Sequence, residues 1–271
     1  MFNPQKRFYP VIWGAEPWSF AGEGELAQIT VVVIHGFTGN PISTKPLGKA
    51  LAQRGFGVEV VRLPGHGTHW LDMMQTRYSD WRGEVERVLD AQLAQGKRVV
   101  LAGLSMGGTI AVDLASLRPD DVAGAVSING SFLDRDGLVA KYAWLVEKVV
   151  PVAPAAAAGL VKNDAAKPGV NEKSYPMVPA AAGNSLLQVL PRLRERLSLL
   201  KCPVLVAYSP QDHSVSCKNS EALIEFLRGK NVTPLRLERS YHLATLDFDA
   251  DLLQDKIAEF AQRLLPRRFE A

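Results

Sequence analysis

Six short runs rich in β-branched and other apolar residues recur along this chain: ITVVVIH (29–35), VEVVRL (58–63), KRVVLAG (97–103), DVAGAVSIN (121–129), CPVLVAYS (202–209) and TPLRLER (233–239). Between most of them lie stretches with helical spacing. These are PISTKPLGKALAQRG, the segment from Tyr78 to Gln95, SMGGTIAVDLASLR and SEALIEFLRGK, with DADLLQDKIAEFAQRLL closing the chain. Trp81, Val85, Val88, Leu89 and Leu93 share one side of the second stretch. In the first, Ser43 or Thr44 is placed to cap the helix and Gly55 to follow its end. Strands alternating with helices demand a parallel sheet with helices on both faces and right-handed crossovers. Runs without polar alternation fit strands buried on both sides. In such sheets ligands bind at the carboxyl ends of the strands.

One segment breaks the rhythm. Residues 131–200 are rich in Ala, Pro and helix formers and show no clear strand. The reading is therefore a mostly parallel α/β core, residues 1–130 and 201–271, with a helical cap or lid inserted at 131–200. A length of 271 residues, 47% of them hydrophobic, suffices for one such core with an insertion. The net charge of +3, without a Lys/Arg block, gives no footprint for nucleic acid. Cys202 and Cys217 match no zinc or redox spacing and read as free thiols of a cytoplasmic protein. The N-terminus has no secretory signal pattern, and the longest apolar stretch, VVPVAPAAAAGLV, is interrupted by prolines and too short to span a bilayer.

GLSMGG (103–108) sits where a strand gives way to a helix. It fits G-x-S-x-G, the elbow that lifts a nucleophilic serine above the sheet edge. Gly103 and Gly107 relieve crowding at the turn, Gly108 lets the helix approach a strand, and Ser105 stands at a helix N-terminus. A serine needs a base, and the base needs an orienting group. Of the histidines His35, His66, His69, His213 and His242, only the last two follow the serine. His242, in the loop after TPLRLER, is the expected base. His213 adjoins the expected acid; His35 ends a buried strand and suits a structural hydrogen bond; His66 and His69 shape a loop or pocket rim. Asp212, in SPQDHSV after the preceding strand, is the expected acid. Asp247 and Asp249 are alternatives but follow His242 in its own loop and start the last helix. HGFTG (35–39) follows the first strand run, so the backbone N–H groups of Phe37 and Met106 are the expected oxyanion donors. No cofactor or metal is required.

HGFTGN, RLPGHGTHW, GLSMGG, SPQDHSV and SYHLATLDFD occur in the order and spacing of the α/β-hydrolases. With YPVIWGAEPWSFAG, GHGTHWLDMMQTRYSDW and NSLLQVL, the chain resembles the bacterial monoacylglycerol lipases and small carboxylesterases over nearly its whole length. The resemblance implies the same roles for Ser105, Asp212, His242, Phe37 and Met106. It implies an acyl-enzyme route that splits monoacylglycerols into fatty acid and glycerol. Short-chain esters, lysophospholipids and thioesters are open to the same machinery. A non-catalytic small-molecule receptor on this fold is the reading from another class, and turnover separates it. The family uses cap residues to select chain length and hold the glycerol head. Here the cap, VPVAPAAAAGLVKNDAAKPGVNEKSYPMVP, is richer in Ala and Pro, and Glu172 is the one polar head contact we assign. Val139, Tyr142, Leu145, Val146 and Val149 suggest a cap helix whose apolar face packs on the core and lines an acyl pocket. Its only membrane contact would be transient, through the cap at a lipid surface.

Overall fold

The computed structural model describes residues 9–133 and 147–265. Its central sheet has seven strands: β1 (Trp18–Phe20), β2 (Ile29–Ile34), β3 (Gly57–Val60), β4 (Arg98–Leu104), β5 (Val122–Ile128), β8 (Val204–Tyr208) and β9 (Val232–Arg236). The spatial order is β1-β3-β2-β4-β5-β8-β9. All pairings are parallel except β1 with β3. That antiparallel edge comes from the WSF of YPVIWGAEPWSFAG, three residues too short to carry a strand signal. The opposite edge, β9, carries Pro234 and Arg236 and faces solvent, as suits a strand that must not recruit another chain.

The inner strands are buried on both faces, so side chains of one strand feed two cores. Val32 and Ile34 of β2 join one apolar cluster with Trp81, Val85 and Ile110, while Ile29, Val31 and Val33 join the other with Leu47, Leu51, Leu253 and Ile257. Thus α3 (Tyr78–Leu93) and α4 (Met106–Leu117) cover one face. The other is covered by α1 (Lys45–Gln53) and the last helix, α8 (Ala250–Gln262). A short α2 (Trp70–Met73) and α7 (Lys218–Phe226) complete the layers.

Thr44 does occupy the N-cap of α1, but its side chain makes no capping bond. Asn40 caps instead, accepting from Ile42 N at 3.0 Å ahead of a 3-10 turn at Pro41–Ser43. Gly55 follows α1 with φ +100°, a left-handed stop that suits glycine.

The chain runs from β2 outward to β3, then returns to place β4 on the other side of β2. The crevice at such a reversal, between the carboxyl ends of β2 and β4, is where these sheets bind ligands.

The segment at 131–200 leaves β5 and returns to β8, which pair with each other. It does contain strands, contrary to the sequence reading: β6 (Val152–Pro154) and β7 (Met177–Pro179) form an antiparallel ladder. Each has three residues amid Ala and Pro, and the partners lie far apart in sequence, so neither alternation nor turn spacing announced them. Helices α5 (Ala180–Leu187) and α6 (Leu190–Arg196) follow. The helix expected on Val139, Tyr142, Leu145 and Val146 lies outside the described residues. Val149 is described and is 76% exposed, so it packs on neither core nor pocket.

Both ends of the segment are pinned. Asn219 Oδ1 accepts from Phe132 N (2.8 Å) and Leu133 N (2.9 Å) at the entry. At the exit, the buried carboxylate of Asp113 accepts from Tyr78 Oη at 3.0 Å and from Arg82 and Arg196. Among the described residues, no helix is long and apolar enough to cross a membrane.

Trp81 is fully buried, donates Nε1–H to Thr76 Oγ1 at 3.0 Å, and lies 5.6 Å from the Phe37 ring. Trp81→Ala is expected to cost about 3–5 kcal/mol of stability. Urea denaturation measures this; a loss under about 1 kcal/mol would contradict the packing described.

Candidate active site

Ser105 links the end of β4 to the start of α4 with φ 56° and ψ −122°, a strained conformation for a residue with a side chain. Its amide donates to Ile128 O at 2.7 Å, which ties the turn to β5. The glycines explain how the turn closes. A Cβ on Gly103 would lie 2.0 Å from Gly107 C, and one on Gly107 would lie 2.3 Å from Ile34 O. A Cβ on Gly108 would lie 2.8 Å from Ser127 Oγ on β5. The Ser105 side chain makes no capping bond.

The loop after β2 runs beside this serine. A Cβ on Gly36 would fall 3.1 Å from Ser105 Cβ. His35 braces the loop: Nδ1–H donates to Gly36 O at 2.9 Å and Nε2 accepts from Leu63 N at 3.2 Å. Burial holds His35 well below the usual histidine range, so both bonds belong to the neutral ring. Thr38 sits at φ 61°, and its carbonyl accepts from Tyr175 N at 3.1 Å. Phe37 and Met106 therefore stand at the carboxyl ends of β2 and β4, on the two sides of the crevice.

His242 and Asp212 meet directly. Nδ1 lies 2.7 Å from Asp212 Oδ2. The other oxygen, Oδ1, accepts from Ser214 N (2.8 Å) and Val215 N (2.7 Å), which fixes the carboxylate plane. Burial works against charging His242. Asp212, Glu172 and Asp164 together outweigh it, so its pKa is raised above the ordinary value.

Ser105, His242 and Glu172 open into one cavity of about 240 Å³, with Leu104, Pro154, Leu160 and Val161 among its apolar walls. Glu172 Oε2 would lie 3.1 Å from a Cβ on Gly39, so its carboxylate lies against the loop after β2. Burial raises the Glu172 pKa, while His242 and a hydrogen bond from Ser174 oppose the rise. Among the described residues, no group of three or more His, Cys, Asp or Glu side chains is placed to hold a metal ion.

The remaining histidines stay out of this cavity. His66 is buried against Trp81 and Tyr175, where burial lowers its pKa to about 4. His69 accepts from Leu71 N at 3.2 Å to cap α2. His213 turns to Asp164, with Nδ1 2.8 Å from Oδ1. Neither alternative acid reaches the His242 ring. Asp247 accepts from the amides of Ala166, Lys167, Tyr241 and Phe248. Asp249 caps α8 by position and binds Arg239 and Ser240.

Several supporting residues escaped the sequence reading. Asn129, at φ 48° just after β5, donates to His242 O at 2.9 Å and to Tyr241 O at 3.1 Å, and accepts from Ser209 N at 2.8 Å. Asn40 donates to Glu172 O at 2.8 Å. The signal available was an amide side chain just after an apolar strand in each case, at VSIN and HGFTGN.

Known proteins resemble this chain over most of its length. The Hydrolase_4 family model, described as serine aminopeptidase, S33, matches residues 26–249. The chain is 33% identical over 264 residues to a thermostable monoacylglycerol lipase of Bacillus sp. (strain H-257), covering 93% of this chain and 96% of the relative. It is 24% identical over 254 residues to a carboxylesterase of Bacillus subtilis (strain 168), covering 92% and 97%. A solved structure of the metagenome-derived lipolytic enzymes LipS and LipT superposes with a TM-score of 0.84 at 31% identity, covering 94% of this chain and 100% of that one. The monoacylglycerol lipase of Paleococcus ferrophilus has a TM-score of 0.77 at 20% identity, covering 92% and 98%, and shares the fold.

Glu172 faces His242 with a charge that favours the imidazolium. Glu172→Gln is therefore expected to lower the His242 pKa from its raised value. An NMR titration of the imidazole reads this directly, and an unchanged or higher pKa would contradict the geometry.

Proposed function

The chain belongs to the Hydrolase_4 family, described as serine aminopeptidase, S33, and we propose that within it the protein cleaves monoacylglycerols to fatty acid and glycerol through an acyl-enzyme on Ser105. The fold is that of the α/β-hydrolases, and the protein is a carboxylic ester hydrolase. The observation that carries the mechanism is the 2.7 Å contact of His242 Nδ1 with Asp212, in a cavity shared with Ser105. That contact leaves Nε2 of His242 as the ring nitrogen available to the serine.

Ser105 Oγ attacks the ester carbonyl carbon while His242 Nε2 takes the hydroxyl proton. The carbonyl π pair moves onto oxygen, where the N–H groups of Phe37 and Met106 receive it. Each such donor is worth roughly 2.7–4 kcal/mol in the transition state. The tetrahedral adduct collapses, the bond to the alkoxy oxygen breaks, and His242 returns the proton to the departing glycerol. Water, deprotonated by His242, attacks the acyl-enzyme; the fatty acid leaves and Ser105 regains its proton. No metal or organic cofactor enters this scheme.

Cavity chemistry supports the substrate class. Apolar walls at Leu104, Pro154, Leu160 and Val161 suit an acyl chain, and Glu172 is the polar partner for glycerol hydroxyls. In this reading residues 131–200 act as the cap that covers the serine, and Pro154 of β6 contributes to the cavity wall. The free thiols Cys202 and Cys217 suit a reducing cytoplasm, with the ester met in dispersed form or at a lipid surface through the cap.

Purified protein given 1-lauroylglycerol is expected to release many equivalents of glycerol. Ser105→Ala is expected to lose on the order of 10⁶-fold in kcat. Activity in both would overturn the Ser105 mechanism. Release by neither, with turnover of a short-chain ester or thioester, would replace the monoacylglycerol assignment. Stoichiometric binding without turnover of any ester would favour a receptor.

A further inference from the structure

The inserted segment contains a buried carboxylate that the scheme above leaves unused. Asp164 lies in KNDAAKP, and its side chain is 2% exposed. We infer that Asp164 is a positioning residue for the acid–base pair, clamping the loop that carries Asp212 to the loop that carries His242. The inference rests on the proposed roles of those two residues.

The contacts run in both directions. Asp164 Oδ2 accepts from His213 N at 3.0 Å and from Ser214 Oγ at 3.3 Å. Oδ1 lies 2.8 Å from His213 Nδ1. These residues directly follow Asp212, and Ser214 N is itself bonded to Asp212 Oδ1. Ser214 is thus held by its amide from the acid and by its hydroxyl from Asp164. On the other side, the Asp164 carbonyl accepts from Leu243 N at 2.8 Å, one residue beyond His242. Two residues further along, Ala166 N and then Lys167 N donate to Asp247 in the His242 loop. Just before it, Asn163 Oδ1 accepts from Glu172 N at 3.3 Å.

A buried carboxylate is costly unless fully bonded, and an amide acceptor would serve for shape alone. What the charge adds is a field at the imidazole. The charged groups that face His242 are Asp212 from the loop after β8, and Glu172 and Asp164 from the inserted segment. Asp164 in turn faces His213, which packs edge-on against Tyr241 and keeps half its side chain in solvent. Asp164 therefore both fixes the distance between acid and base loops and favours the protonated base that forms as Ser105 attacks.

Steady-state kinetics on 1-lauroylglycerol as a function of pH test this. Asp164→Asn keeps shape and one acceptor but removes the charge. Its kcat is expected to fall roughly tenfold with KM changed less than about twofold. The acidic limb of kcat/KM is expected to move to lower pH, because losing a negative charge lowers the His242 pKa. Asp164→Ala, which loses the side-chain acceptors as well, is expected to fall roughly a hundredfold. A wild-type kcat and an unmoved acidic limb in Asp164→Asn would overturn the inference, even with a lowered melting temperature. Ser105→Ala and Asp212→Ala run alongside: activity in these would instead overturn the underlying site reading.

Discussion

The site rests on a close backbone approach between the start of α4 and the end of β2. A single methyl group on Gly107 would fall 2.3 Å from the Ile34 carbonyl oxygen. Everything at the crevice depends on that approach. It holds Ser105 in a backbone conformation that few side chains accept, and brings the loop after β2 alongside. Strain of this kind persists only where the surroundings over-determine it. Here they do, through the Ser105 amide bonded to β5 and the His35 ring bonded at both nitrogens. The sheet supplies rigidity, and the glycines convert it into a fixed position for one hydroxyl.

Electrostatics around the imidazole follow the same logic. Burial alone would make His242 a weak base, as it does for His66. The difference is that three carboxylates face His242, whereas His66 packs among aromatic rings. Two histidines whose charging burial opposes are thus driven in opposite directions by their neighbours. One is held neutral among aromatic rings, and the other is biased toward its protonated form.

Much of this was legible in the sequence because it rests on local pattern. The six apolar runs each became a strand of the central sheet, since period and composition report burial directly. Ser105, Asp212, His242 and Phe37 stand out as candidates because each lies a few residues past a strand, where the chain must turn at the sheet edge. What escaped depends on partners distant in sequence. β1 pairs with a strand about forty residues later, and β6 finds β7 across a stretch of Ala and Pro. Asn129 acts through a backbone carbonyl of another loop, Asp164 and Asp247 through backbone N–H groups, and a lone polar residue gives no hint of which loop it will meet. Thr44 takes the N-cap position of α1 as expected but without a side-chain bond, while Asn40 upstream caps the 3-10 turn before it.

The strands that bracket the inserted segment are hydrogen-bonded neighbours, so the sheet is indifferent to how much chain lies between them. Closing a longer excursion costs little, about 0.6 kcal/mol per doubling of length. Evolution can therefore treat this region as an exchangeable cassette, swapping cavity walls while the hydrolytic machinery stays put. One exception is the short strap at residues 163–167, whose bonds run into both loops below. Drift in substrate range is constrained there, and again where Glu172 and Tyr175 bond to the loop after β2.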